Sequence, residues 1–244
     1  MEYLTSIPFM ERKPMNLHNF KNLFMNSVEM KELYVNSVRI WSAGRIPSEY
    51  QEVEWVQAGS SIGAYINLGF TFDTSATVKL GMYCIDTTPS YIFGLAESSG
   101  KYRCMISAPY GGGRTAYAYG FSGSSYTNIT VELVDGYNDL EYTLKSGSMS
   151  LKNTTNGKSY SATNTAFTTT SNLLLFAQNY NGSVRYGGYR KISYFQYYDK
   201  TNTLICDLVP CYRKSDGVIG MYDIVRKTFL TNVGSGTFTK GANV

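Results

Sequence analysis

Histidine is nearly missing from this chain, with His18 the only one among 244 residues. Serine and cysteine nucleophiles need a neighbouring base, and a lone imidazole near the start leaves the main body of the chain without one. Cysteine is scarce too, and Cys84, Cys104, Cys206 and Cys211 do not have zinc-knuckle spacing. No metal and no cofactor is expected. Charged residues reach only 16%, and 22 basic against 18 acidic residues leave a net charge of +4. The basic residues fall as scattered pairs (Arg12 with Lys13, Arg190 with Lys191, Arg213 with Lys214, Arg226 with Lys227), so a nucleic acid partner is not expected. No apolar run approaches the roughly 20 residues of a membrane-spanning helix, so membrane insertion is not expected either. The glycines at 111–113 lack a following Lys-Ser or Lys-Thr and open no helix, which excludes a phosphate loop.

What the chain does have is aromatic: 22 Tyr and 12 Phe within a hydrophobic share of 43%. That share can fill a core and argues against disorder. Flat side chains with few charges favour pleated strands over helices. Residues 77–86 alternate, with Val78, Leu80, Met82 and Cys84 on one face and Lys79, Gly81, Tyr83 and Ile85 on the other. Further strands are expected at 49–56, 64–72, 91–95, 102–107 and 115–119. In the first of these Val53 and Trp55 should point inward and Glu52 and Glu54 outward. Three pairs read as hairpins: 127–133 with 139–145 around Asp135-Gly136, 148–153 with 158–163 around Asn156-Gly157, and 204–209 with 218–225 around Asp216-Gly217. In each, glycine supplies the left-handed backbone of a tight turn. Residues 173–178 and 188–198 flank a further turn at Asn181-Gly182. Pro210 cannot donate to a ladder and should mark a strand end or a sheet edge. Strands at 227–230 and 237–239 should close the chain as a meander. About fourteen short strands, with no long helix and no blade-length repeat, give an all-β sandwich of two sheets.

The first 45 residues differ. Residues 21–30 (KNLFMNSVEM) align without a gap on 31–40 (KELYVNSVRI), and each unit reads as strand, Asn-Ser turn, strand. Two such units cannot bury much alone, so this module should dock on the main domain, on a partner or on copies of itself. Residues 15–24 also fit a short helix through Leu17, Phe20, Leu23 and Phe24, and helix and strand stay open there. Gly and Pro within 42–47 mark a boundary, giving an arm of residues 1–45 and a sandwich of residues 46–244.

Residues 208–241, LVPCYRKSDGVIGMYDIVRKTFLTNVGSGTFTKG, resemble the C-terminal end of a concanavalin A/laminin-G-like sandwich domain of bacteriophage and prophage structural proteins. Residues 46–55 (IPSEYQEVEW) and 64–70 (AYINLGF) resemble its opening. The resemblance implies a concanavalin A-like jelly-roll sandwich of two antiparallel sheets on a tail or head fibre or a capsid surface. Residues 33–41 resemble a strand-turn-strand element at the N-termini of phage structural proteins, which implies attachment through Phe24, Tyr34 and Trp41. An extra hairpin on the sandwich is the competing reading. Partners would be other virion proteins, further copies of the chain and a bacterial surface glycan. The first 13 residues lack the basic start and apolar centre of a signal peptide. The resemblance implies the virion as the location, and the N-terminus implies synthesis in the host bacterial cytoplasm, where cysteines stay as buried free thiols.

Sandwich glycoside hydrolases of related fold carry clustered carboxylates on one strand, about 5–5.5 Å apart in retaining enzymes. The nearest candidates, Glu132 with Asp135 and Asp139 with Glu141, lack their Glu-x-Asp-x-Glu arrangement, so a non-enzymatic virion protein for glycan adhesion or particle decoration is expected, with a hydrolase or depolymerase and a purely structural virion connector as the alternatives. No dense acidic loop suggests calcium. Two loops combine aromatic, small and planar polar residues suited to the apolar faces and hydroxyls of sugars. They supply the candidate saccharide contacts: Tyr110 and Arg114 in one, and Asn179, Tyr180, Asn181, Arg185 and Tyr186 in the other. Packing of these loops without a ligand is the alternative. Tyr194, Tyr197 and Tyr198 read as strand residues.

Overall fold

The computed structural model describes residues 23–25, 28–30, 32–35, 38–42, 45–59, 63–84, 90–98, 100–108, 113–185, 187 and 189–244. The chain divides into two units, Met1–Pro47 and Ser48–Val244. In the first, the repeat forms two antiparallel hairpins. Strand β1 (Leu23–Met25) pairs with β2 (Val28–Met30), and β3 (Glu32–Val35) pairs with β4 (Val38–Ser42). In each, the innermost partners, Met25 with Val28 and Val35 with Val38, are separated only by Asn-Ser, the loop length of a tight hairpin. Leu23 and Phe24 are strand, whereas residues 15–22 lie outside the described residues. Phe24 pairs with Glu29, Tyr34 with Arg39 and Trp41 with Leu33. The attachment role expected of their side chains lies outside the described residues.

The second unit is all-β. In chain order its strands are β5 (Tyr50–Glu52), β6 (Val56–Ala58), β7 (Ile66–Asp73), β8 (Ala76–Cys84), β9 (Tyr91–Glu97), β10 (Tyr102–Ser107), β11 (Thr115–Phe121) and β12 (Tyr126–Glu132). Then come β13 (Gly136–Lys145), β14 (Ser148–Asn153), β15 (Lys158–Ala162), β16 (Thr168–Leu175), β17 (Gln178–Tyr180), β18 (Ser183–Arg185) and β19 (Lys191–Tyr198). The chain closes with β20 (Leu204–Arg213), β21 (Ile219–Asp223), β22 (Thr228–Thr231) and β23 (Phe238–Lys240). They build two sheets. The smaller runs β12-β11-β10-β9-β16-β7, with β17 and β18 attached beside β9. The larger runs β15-β14-β13-β8-β19-β20-β21-β22, with β5, β6 and β23 attached. Pairing is antiparallel except between β17 and β9.

Alternation makes the sandwich. Val78, Leu80, Met82 and Cys84 of β8 are buried, as the two-residue period requires, and so are Leu140, Tyr142 and Leu144 of β13 beside it. The smaller sheet answers with Phe93, Leu95, Cys104, Ile106, Ala118 and Val131. Phe93 joins the layers, with ring centroids 5.5 Å from Phe195 and 6.3 Å from Tyr142. All four cysteines are buried and none is in a disulfide. Burial pushes the Cys104 and Cys206 thiols up, and that of Cys211 up to about 12.

Five sequence expectations need correction. The strands flanking Asp135-Gly136 are not a hairpin, since β12 lies in the smaller sheet and β13 in the larger. This crossing is tied by buried Asn138. Its amide donates to the Val134 and Gly136 carbonyls at 2.9 and 3.0 Å, and its Oδ1 accepts from Val134 N and Asn153 Nδ2, both at 2.9 Å. Pro210 sits inside β20, opposite Met221, where the flanking partner changes from β19 to β5. Its carbonyl accepts from Val53 N at 3.0 Å on that seam, so the absent N–H interrupts no continuous ladder. The single strand expected at 173–178 breaks at Phe176, whose φ of +67° turns the chain from β16 into β17. Trp55 is half-buried rather than inward, and the final strand β23 pairs with β6 rather than extending the β20-β21-β22 meander.

The wording at 220–228 proves structural. Buried Asp223 accepts from the backbone N–H of Asp207, Val225 and Arg226 and from Arg226 Nε. Arg226 in turn donates Nη1 to the Leu68 carbonyl of β7 at 2.5 Å, fastening a turn of the larger sheet to the smaller one.

Candidate functional site

Of the sequence candidates, Tyr110 and Tyr186 lie outside the described residues. Arg114 is exposed at the start of β11 and forms an ion pair with Asp135. The β17–β18 hairpin stands at the other end of the smaller sheet, since Asn181 N donates to the Ala96 carbonyl while Arg114 lies beyond the end where Tyr117, Ser107 and Tyr91 are aligned. The two loops are therefore not brought together.

Within the hairpin the asparagines hold the backbone. Asn179 donates Nδ2 to the Asn172 carbonyl and accepts from Gly182 N, each at 2.9 Å. Asn181 and Gly182 have φ of +49° and +82°, the left-handed pair that a two-residue hairpin turn demands. Tyr180 and Arg185 remain, and they stack: the guanidinium carbon lies 4.0 Å from the ring centroid.

The sheet adds a second stack that sequence reading missed. Arg103 of β10 places its guanidinium carbon 3.9 Å from the ring centroid of Tyr126 and 5.5 Å from that of Tyr119. Gly100 lies where the stacks meet. A Cβ there would come within 2.7 Å of Arg103 Nη2 and 3.2 Å of Tyr180 Cε2, and the φ of +84° is one that glycine adopts freely. Arg103 is steadied by donation from Nε to the Gly100 carbonyl at 2.5 Å. Below, Gln178 is buried and donates to Met105 Sδ at 3.0 Å, anchoring the hairpin root. The alternation Tyr117-Ala-Tyr119 sets two tyrosines on the face away from core Ala118, where Tyr119 is itself buried. Only the register, Met105 opposite Tyr119 and Phe121 opposite Tyr126, sets β10, β11 and β12 side by side so that Arg103 reaches them.

The two outer faces differ electrostatically. On the larger sheet Asp139, Glu141 and Asp207 each meet a neighbouring side chain, while Lys191 lies over a ring. The Tyr194 hydroxyl donates to Asp139, Lys79 pairs with Glu141 at 3.4 Å, Gln196 donates to Asp207 at 3.3 Å, and Lys191 lies 4.1 Å from the Trp55 ring. A bulge there sets Ser193 and Tyr194 opposite Gly81, where a Cβ would come within 2.3 Å of Ser193 Oγ and 2.6 Å of the Tyr137 hydroxyl. Burial, then the Asp139 charge, pushes Tyr137 up to about 12, and burial with the Asp139 hydrogen bond raises Tyr194 further. Both stay protonated donors at neutral pH. On the smaller sheet Arg103 and Arg185 have no carboxylate partner among the described residues. Glu97 at the end of β9 is engaged instead, accepting from the Thr170 and Ser171 amides at 2.9 and 2.6 Å. Of the other carboxylates considered for hydrolysis, Glu132 is paired with Lys158 and Asp135 with Arg114. Among the described residues no three His, Cys, Asp or Glu side chains gather as a metal site.

No family model and no curated protein matches the chain. Solved structures do. A candidate carbohydrate-binding protein from Bacteroides ovatus matches with 13% identity and a TM-score of 0.51, over 80% of this chain and 62% of that one. The chain thus spans less than two thirds of that protein. Full-length tailspike protein 2 of the Escherichia coli O157:H7 bacteriophage CAB120 matches over 59% of this chain and 24% of its own, with 10% identity and a TM-score of 0.36. A single mutant of congerin II matches over 55% of this chain and 98% of its own, with 11% identity and a TM-score of 0.35. At such identities the likeness is one of fold, and the fold is a two-sheet β-sandwich.

Proposed function

We propose that this chain is a non-enzymatic saccharide-binding sandwich carried on a bacteriophage particle, held there through its arm and working as an oligomer in adhesion to a bacterial surface glycan. The observation that carries the binding reading is the strip Tyr126, Arg103, Tyr180 and Arg185 on the smaller sheet. Tyr126 is 43% exposed, so an aromatic face is offered to the CH faces of sugar rings, with guanidinium N–H groups alongside for their oxygens. The phage context rests on the wording of residues 46–70 and 208–241. The non-enzymatic reading is supported by the carboxylates, since Glu132, Asp135, Asp139 and Glu141 each hold a cationic or hydroxyl partner. A general acid and a nucleophile would instead need to face a sugar.

The test is retention of the full chain on immobilised bacterial surface polysaccharides. Retention is expected, and Tyr180→Ala is expected to weaken it by about tenfold, equivalent to about 1.4 kcal/mol. Equal retention of the variant rejects the site, and release of reducing sugar rejects the non-enzymatic reading. Absence of the chain from purified particles rejects the virion assignment.

A further inference from the structure

Resting on the saccharide-binding reading, we infer that the ligand of this strip is an acidic saccharide, a sugar bearing an oxyanion, which the edges of Arg103 and Arg185 grip while their faces lie on tyrosines. The chain elsewhere shows what it does with arginines that only hold structure. Arg114 pairs with Asp135, Arg213 with Asp216 and Arg226 with Asp223. Arg103 and Arg185 hold a tyrosine ring each instead, and no carboxylate among the described residues meets either.

Stacking occupies the face of a guanidinium and leaves its N–H edge for an acceptor in plane, the geometry that takes a carboxylate or other oxyanion through two parallel hydrogen bonds. Arg103 uses Nε on the Gly100 carbonyl, so its terminal nitrogens are the ones left for a ligand. Covering two unpaired cations with a neutral sugar would remove them from water without a counter-charge, a cost that an anionic sugar offsets. Gly100 lets the two stacks close on each other, so one ligand can meet both.

Single-stranded nucleic acid also combines phosphates with stacking. It fits less well, because a nucleic acid backbone needs a track of cations rather than two.

The full chain is measured by affinity electrophoresis against polygalacturonate, dextran sulfate, neutral dextran and oligo(dT). Binding to polygalacturonate or dextran sulfate is expected to exceed binding to dextran by at least about tenfold and to weaken with added salt. Tighter binding to polygalacturonate identifies a carboxylate as the oxyanion, and to dextran sulfate an ester oxyanion. Arg103→Gln and Arg185→Gln should each lower it by about tenfold, with thermal unfolding unchanged, while Arg213→Gln leaves it as it was. Dextran bound as well as the acidic polymers, with the arginine variants unaltered, overturns the acidic class and leaves saccharide binding standing. Binding of no polysaccharide overturns both, and tighter binding of oligo(dT) overturns the inference in favour of nucleic acid.

Discussion

Tyrosines with the same composition signal have opposite fates here. Tyr126 stands 43% exposed beside Arg103, which meets no carboxylate among the described residues. Tyr137 is about as exposed, at 39%, yet its hydroxyl is folded into the Gly81 and Asp139 cluster. That difference gives a pH test. Tyr137 is raised from 10.0 to about 12 in the folded chain, so the unfolded chain gives up this proton first as pH rises. Stability from this group is complete below about pH 10 and is lost between there and about pH 12. Urea unfolding across that window should therefore show a falling free energy, and Tyr137→Phe should flatten the fall. An unchanged slope in the variant removes Tyr137 as its source. Of the sequence candidates, Tyr180 and Arg185 were legible because they are five residues apart in one loop rich in turn formers. Asn179 and Asn181 carry two signals at once, because the residue that suits a sugar hydroxyl is also the one that holds a left-handed turn.

Elements were easier to read than connections. The bounds Tyr102–Ser107 and Ser148–Asn153 follow from alternation and flanking turn residues. The Asp135-Gly136 connection misled because one turn chemistry serves both a hairpin and a crossing between sheets, and the deciding partners, Asn138 and Asn153, meet only after folding. The stack of Arg103 on Tyr126 was hidden for the same reason, since three strands must find their register before the side chains touch. The turn between β21 and β22 gives the test at this scale. Asp223→Ala would leave buried amides and the Arg226 guanidinium without their acceptor, and should cost about 3–5 kcal/mol, read as a lower urea midpoint. A change below about 0.5 kcal/mol, the range of ordinary surface substitutions, would show that the turn does not fasten the sheets.

One outer face of the sandwich carries carboxylates that meet neighbouring side chains, and the other carries guanidiniums that lie on tyrosines and meet no carboxylate among the described residues. A cation–π contact is worth only about 0.5–1 kcal/mol at an exposed site, so the stacks are a poor reason to place arginines without carboxylates unless something else meets them. On the saccharide-binding proposal, that contrast assigns the binding face to the smaller sheet. Hydrogen exchange of the full chain, with and without a galacturonate oligomer, tests it most directly. The expected result is slowed exchange confined to residues around Gly100, Arg103, Tyr126 and the β17–β18 hairpin. Slowing around Tyr83, Tyr137 and Tyr194 of the larger sheet, or no slowing anywhere, would contradict it.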